Sequence, residues 1–221
     1  LFYWYAYGQM LVDLELGNAL LEQAYERFSK HKDLLGQCFV ILDLADVVYL
    51  KGEPHRHFNR WISVLERYLQ QSKEFPSQAV GLKVWMCYLD LVTHGPGEGI
   101  LFKRGQRWLL AQIESGQLRA NQELEASHTL LGTSRMLADV ELGRRMARQI
   151  RTLVDHDDLT PHVKLWTLNL IGLFHFADED VTLALKLFER FAAEARSQQR
   201  AIPSFIGNLH LAYVFAGLGR F

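Results

Sequence analysis

The chain has 221 residues, of which 49% are hydrophobic, and this is enough to bury a sizeable core in one or two domains. Its 24 Lys and Arg residues nearly balance 25 Asp and Glu residues, so no net charge draws it toward nucleic acid or an anionic membrane. The two most apolar stretches, residues 1–12 and 163–177, are shorter than the ~18–20 residues that a membrane span requires.

The N-terminal stretch and the two cysteines both bear on the cellular compartment in which we expect the protein. The first stretch lacks the basic region and the cleavage site of a signal peptide. Cys38 and Cys87 lie inside apolar runs, where reduced and packed cysteines are usual, and two cysteines make no disulfide framework in a chain of this size. We therefore expect a cytoplasmic protein.

Apolar residues recur at helical spacing along the whole chain, and no segment sustains the alternation of a strand. Glycines at 17, 52, 95, 97, 99 and 116, together with acidic turns at 155–158 and 178–180, interrupt the pattern and predict short connections. The pattern predicts eleven helices, roughly 1–14, 18–31, 35–50, 55–72, 77–93, 100–115, 119–137, 140–154, 161–176, 180–198 and 203–217.

The odd-numbered predicted helices recur at a nearly constant interval, roughly 34 residues once and then 42 residues each time, which is typical of arrays of helical hairpins. One such hairpin cannot bury both of its apolar faces, whereas stacked hairpins share a continuous core. The sequence thus predicts an all-α, right-handed superhelical array of antiparallel helix pairs, forming a single domain over residues 1–221. Because the chain begins with Leu1 and its last helix has no following partner, we expect a fragment of a longer protein.

Small and large apolar residues follow the spacing of a tetratricopeptide unit at Gly172, Ala184 and Phe188, and the first unit has the same pattern. Phrases in residues 20–37, 58–69 and 74–85 resemble the tetratricopeptide-like helical domains of bacterial signal-responsive transcriptional regulators, the MalT-like group. The resemblance implies a sensor or scaffold arm that binds an inducer, a partner protein or another part of its own chain. It carries over no nucleotide-binding or DNA-reading residue, so we expect no direct contact with nucleic acid.

Three loop segments contain residues that are able to bind ions. Residues 94–99 hold three glycines, but without a preceding strand or a following Lys-Ser/Thr pair they are better explained as a turn than as a phosphate cradle. His55 to His57, and residues 155–158 with His162, contain metal-capable side chains without a tetrahedral ligand set. Helix capping or solvated loops are the simpler explanation for both, and for the acidic residues 178–180.

A basic stripe runs along the eighth predicted helix. Arg144, Arg148 and Arg151 share one face, with Arg145 beside them. Such a stripe could meet an acidic partner or a phosphate, and the alternative is an ordinary solvated face.

Motifs for catalysis are missing from the sequence. It has no GxSxG elbow, no HExxH pair and no CxxC pair, and neither cysteine stands beside a base. We therefore expect a protein that is not an enzyme and that needs no cofactor or metal.

The repeat interval also predicts a candidate binding groove. The series starts at Asp43 and continues in steps of 42, 42, 42 and then 41 residues. It selects one side chain on each of five odd-numbered helices: Asp43, Trp85, Ser127, Asn169 and His210. We call these five the ladder, and Tyr49, Tyr88 and Trp166 are the aromatic side chains expected nearby. Polar groups inside apolar helices need water or a partner, so we predict that the ladder faces a ligand. The alternative is that Trp85 is core and the others face water or neighbouring helices.

These patterns together favour a non-enzymatic binding or sensing module of a bacterial regulator that recognises a peptide, a protein or a small inducer. An alternative is a scaffold arm that joins subunits, whose sign would be a large apolar patch on the last helix. A third alternative, an enzyme with a helical groove, would require clustered carboxylates or histidines in a deep pocket.

Overall fold

A computed structural model describes residues 1–10, 12–51, 58–72, 74–93, 100–157, 159 and 161–218, with the backbone alone at 46, 49–51, 136, 162, 201 and 202. Within these residues the chain forms eleven α-helices and no strand. The helices are α1 Phe2–Met10, α2 Leu14–Lys30, α3 Leu34–Lys51, α4 Phe58–Gln71, α5 Gln78–Thr93, α6 Ile100–Glu114, α7 Ala120–Met136, α8 Val140–Leu153, α9 Pro161–Ala177, α10 Val181–Ser197 and α11 Ala201–Gly217.

The predicted helical class and the number of helices are confirmed, but the first boundary was wrong. The sequence pattern carries the first helix to residue 14 and treats Gly17 as a break, whereas α2 already begins at Leu14. Asp13 is its N-cap, because its carboxylate accepts hydrogen bonds from the backbone N–H groups of Glu15 and Leu16 at 3.1 and 3.0 Å. Gly17 lies inside α2, and a β-carbon there would stand 2.2 Å from Met10 Cα. The glycine therefore allows α1 and α2 to approach closely instead of ending a helix.

Four of the connections between helices share one backbone geometry. Each contains a residue in the left-handed region, Lys32, Ala138, Glu179 or Gln199, with φ between 55° and 64°. The next residue donates its backbone N–H to a carbonyl five positions earlier, which is the Schellman arrangement at a helix C-terminus. In three of the four that next residue is an aspartate, and its carboxylate caps the following helix. This turn packs two helices against each other with three linking residues.

The chain divides into two compact units, residues 1–109 and 110–221, with the division inside α6. In the first unit α2 packs on α1 and α3, α3 on α4, and α4 on α5, while α3 also contacts α5. Its largest fully buried side chains include Phe58, Trp61, Trp85 and Tyr88.

In the second unit each helix from α7 to α10 packs on the next one, and α7 also contacts α9. This alternation of neighbouring and next-neighbouring contacts is consistent with stacked helix pairs. The odd-numbered helices begin at residues 2, 34, 78, 120, 161 and 201, so the interval between them is 32, 44, 42, 41 and 40 residues. The handedness of the array stays a prediction.

Candidate binding residues on the odd-numbered helices

Asp43 lies on α3 in the interior of the first unit, with its side chain 8% exposed. One carboxylate oxygen accepts a hydrogen bond from the Tyr3 hydroxyl of α1, whereas Oδ2 has no hydrogen-bond partner among the described residues. Burial raises the pKa of Asp43 to about 6, although the Tyr3 hydrogen bond and the charge of Lys83 on α5 oppose that shift. Side chains of the two flanking odd-numbered helices, α1 and α5, thus act on one carboxyl group of α3.

Trp85 and Tyr88 are buried in the core of the first unit. Their rings meet edge to face with centroids 6.0 Å apart, and the Tyr88 hydroxyl donates a hydrogen bond to Glu66 Oε1 at 3.1 Å. The carboxylate and burial raise the pKa of this phenol, with burial the larger cause. These contacts give both residues a packing role, and contact with a ligand stays a prediction. Tyr49 lies on α3, but its side chain is outside the described part of the structure.

Ser127 on α7 and Asn169 on α9 are both buried in the second unit. Ser127 Oγ and Asn169 Oδ1 find no hydrogen-bond partner in the described part of the chain, and the same holds for Thr167 Oγ1 on α9. Buried polar atoms in folded proteins are nearly always paired, so three such atoms on adjacent helices require an explanation.

His210 on α11 is half-buried, and its ring lies 4.8 Å from that of Phe188, centroid to centroid. Its Nδ1 is buried and has no hydrogen-bond partner among the described residues. Burial lowers the pKa of His210, and the charge of Arg135 on α7 lowers it further. Trp166 on α9 is also half-buried, with its ring 6.1 Å from that of Phe191.

The structure therefore buries four of the five ladder residues and half-buries the fifth. Each of the five carries a buried polar atom without a hydrogen-bond partner in the residues described. Within those residues, no hydrogen bond or ring contact joins two ladder members. The ladder is thus a set of separate polar positions and not a hydrogen-bonded network.

The basic stripe on α8 is exposed, but Arg144 is used within the chain. Its guanidinium donates to both carboxylate oxygens of Asp178, at 3.2 and 2.9 Å, and this contact ties α8 to the turn after α9. Asp178 correspondingly has a lowered pKa. Neighbouring Arg145 pairs with Glu114. Arg148 and Arg151 are exposed on the same helix, so any partner of the stripe would meet chiefly these two.

Parts of the three loop segments with possible ion-binding residues lie outside the residues that the structure describes. These parts are 55–57, 94–99, Asp158 and the side chain of His162. Asp155 is described, and it forms an ion pair with Arg190 of α10, which lowers its pKa. Among the described residues no group of three or more His, Cys, Asp or Glu side chains is placed to hold a metal ion.

Some residues of interest were missed by the sequence analysis. Tyr3, Thr167 and Arg135 act on the ladder or lie beside it, and His175 on α9 has both ring nitrogens buried and unpaired in the described structure. A polar residue within an apolar run is the signal that could have found Thr167 and His175. Nothing in the sequence indicates that Tyr3 or Arg135 would reach across to another helix.

No protein-family model matches the sequence, and no curated protein matches it at a significant level. The resemblance to the MalT-like group therefore stays a prediction from the residues that carry it. In the part of the chain that the structure describes, no helix has both the length and the apolar character needed to cross a membrane.

Proposed function

We propose that this protein is a non-enzymatic helical-repeat binding module in which the odd-numbered helices supply polar contacts to a peptide, a protein or a small inducer. The context that we propose, a cytoplasmic bacterial signalling or transcriptional regulator, is supported only by the resemblance described above. The binding role itself is supported by residues of the structure.

One observation carries the proposal. In the second unit three successive odd-numbered helices, α7, α9 and α11, each place a buried polar atom without a described hydrogen-bond partner: Ser127 Oγ, Asn169 Oδ1 and His210 Nδ1. An unpaired buried polar atom costs roughly 1–3 kcal/mol, and an apolar residue of similar shape would avoid that cost. A bound molecule that supplies the missing hydrogen bonds would explain why polar residues stand there.

Electrostatic interactions between odd-numbered helices support the same proposal. Tyr3 of α1 and Lys83 of α5 both act on Asp43 of α3, and within the second unit Arg135 of α7 acts on His210 of α11. In each unit, side chains of odd-numbered helices therefore come close enough to act on one another. A ligand that lies across such helices would meet several of them at once.

The proposal is tested by a thermal-shift screen against peptides, sugars, nucleotides and small organic acids, followed by one substitution. A ligand at 100 times its dissociation constant adds about 2.7 kcal/mol of stability. We expect Asn169→Ala to weaken any ligand found about tenfold, because a buried hydrogen bond is lost. Asn208→Ala, which removes the same amide from an exposed position of α11, is the matched control and should have no effect. A ligand that binds Asn169→Ala and wild type equally would refute the role of the ladder.

A second candidate function, a scaffold arm that joins subunits, is favoured by the exposed face of α11. Phe205, Leu209 and Tyr213 share one side of this helix and are 67%, 40% and 61% exposed. Sedimentation velocity separates this candidate from the first. A scaffold arm should self-associate, and Leu209→Glu should return it to the monomer, whereas a ligand-binding monomer should sediment identically with and without the substitution.

A further inference from the structure

A small open pocket lies where α9, α10 and α11 meet in the second unit, with a volume of about 150 Å³. It is bounded by buried Phe188 and Val214 and opens past Tyr213, which is 61% exposed. Its walls are almost entirely apolar. The lining residues are Leu173, Phe176, Phe188, His210, Tyr213 and Val214.

The His210 imidazole is a polar side chain of this pocket, and one of its ring nitrogens is buried without a hydrogen-bond partner among the described residues. Its Nδ1 has no partner among the described residues, and its ring lies 4.8 Å from that of Phe188, centroid to centroid. An imidazole in this position is able to donate one hydrogen bond to a ligand that enters beside the aromatic rings.

The electrostatic surroundings of His210 favour a negative charge. Arg135 of α7 is exposed, forms no ion pair in the described part of the chain, and is the one charged group found to act on His210. No carboxylate among the described residues offsets it there. A ligand anion at the imidazole would therefore have a hydrogen-bond donor beside it and would be attracted by the positive charge of Arg135.

We propose that this pocket binds a small monocyclic aromatic carboxylate. A cavity of about 150 Å³ lined by apolar groups is large enough for one benzene ring. Phe176, Phe188 and Tyr213 supply aromatic surfaces against which such a ring packs favourably. The carboxylate accepts a hydrogen bond from His210 and is attracted by Arg135. This inference rests on the proposed binding function, since His210 belongs to the ladder, and it names the class of ligand.

The test compares three probes by isothermal titration calorimetry on the 221-residue chain. Benzoate carries both the ring and the charge, benzyl alcohol carries the ring with a neutral hydroxyl, and acetate carries the charge without the ring. We expect benzoate to bind about tenfold more tightly than benzyl alcohol, because charge-assisted hydrogen bonds are the stronger ones. We expect no measurable binding of acetate, because it lacks the ring that packs against the aromatic side chains. Equal affinity for benzoate and benzyl alcohol, or no binding of benzoate, would overturn the inference.

Substitutions place the binding in this pocket. His210→Leu should weaken benzoate about tenfold and benzyl alcohol less than about twofold, because a neutral hydroxyl accepts a weaker hydrogen bond from the imidazole than a carboxylate does. Arg135→Gln should weaken benzoate about threefold at low salt and less at high salt. Arg196→Gln, which removes an exposed arginine from α10, is the control and should change neither affinity. If His210→Leu fails to fold, Arg135→Gln still tests the inference, because Arg135 is exposed and its substitution should not affect folding. An unchanged benzoate affinity in Arg135→Gln would contradict the anion site.

The two proposals fail in different ways. If benzoate does not bind while a ligand from the thermal-shift screen depends on Asn169, the pocket inference is wrong and the binding module stands. If benzoate binds through His210 and no ligand depends on Asn169, the pocket is an isolated site and the ladder is not a binding surface.

Discussion

The ring of Phe188 on α10 lies so close to Gly172 on α9 that a β-carbon at position 172 would stand 2.6 Å from Phe188 Cε1. Phe188 is fully buried, so a methyl group at position 172 would force this ring to move within the packed interface of the two helices. The glycine is therefore required by packing between the two helices and not by its backbone conformation.

We expect Gly172→Ala to lower the free energy of unfolding by about 1–3 kcal/mol, because overpacking outweighs the better helix propensity of alanine. Gly132→Ala on α7 is the matched control. A β-carbon there would be 3.9 Å from its nearest neighbour, Leu170 Cδ2, so propensity alone should raise stability by about 0.5–1 kcal/mol. Urea unfolding measures both. A stabilised Gly172→Ala protein would contradict this account of the helix interface.

The spacing of Gly172, Ala184 and Phe188 predicts this contact from the sequence alone, because small and large residues at that interval meet only when two helices form a tight hairpin. The helices themselves are equally predictable, since apolar residues recur at helical spacing along the chain and several helices end at a recognisable turn. The boundary between α1 and α2 was predicted wrongly because of Gly17. A glycine that relieves crowding between helices and a glycine that breaks a helix look alike in sequence.

The candidate site is less predictable. The repeat interval correctly selects positions on odd-numbered helices, and these positions prove to be buried or half-buried. It does not predict the pocket around His210, whose wall includes Phe188 from an even-numbered helix. Nor does it predict Tyr3 as the partner of Asp43. Both depend on how neighbouring helices are placed side by side, which varies as the interval drifts from 44 to 40 residues.

The turn between α7 and α8 offers a test of the shared connection. Ala138 has φ of 56°, a conformation that costs an L-residue roughly 1–2 kcal/mol and glycine little. Glycine also costs conformational entropy on folding, and this cost offsets part of the relief. We therefore expect Ala138→Gly to raise the free energy of unfolding by about 0.5–1 kcal/mol. Ala193→Gly, at an exposed position inside α10, should lose a similar amount. Thermal unfolding of both variants checks the pair, and a loss at both positions would count against the left-handed turn.

Asp43 makes stability depend on pH in an unusual direction. Its folded-state pKa of about 6 exceeds the value of about 3.9 in an unfolded chain, so folding favours the protonated carboxyl. The stability that this group contributes is fully present below about pH 4 and is lost as the pH rises through 6.

Replacing Asp43 with Asn keeps an acceptor for Tyr3 and removes the charge. We expect Asp43→Asn to equal wild type near pH 4 and to exceed it at pH 8 by up to about 3 kcal/mol, which is the free energy equivalent of the pKa shift. Urea unfolding from pH 4 to 8 measures the difference. Glu26→Gln, which removes an exposed carboxylate, should run parallel to wild type. Parallel curves for Asp43→Asn as well would show that Asp43 is not desolvated.

Thr167 and Thr133 allow the unpaired polar atoms to be tested directly. Both are fully buried in helices of the second unit. Thr133 Oγ1 donates a hydrogen bond to the carbonyl oxygen of Leu130 at 2.9 Å, whereas Thr167 Oγ1 has no partner in the described structure. Valine has nearly the same shape as threonine without the hydroxyl, so each substitution removes only the polar group.

We expect Thr133→Val to lower the free energy of unfolding by about 0.5–1.5 kcal/mol, because a satisfied hydrogen bond is lost. Thr167→Val should leave stability unchanged or raise it by up to about 1 kcal/mol, because the cost of burying an unsatisfied hydroxyl disappears. Urea unfolding of the ligand-free protein measures both values. A loss of stability at position 167 as large as at 133 would mean that the Thr167 hydroxyl is already hydrogen-bonded in the free protein. Thr167 would then no longer support a ligand-binding role for the polar groups of α9.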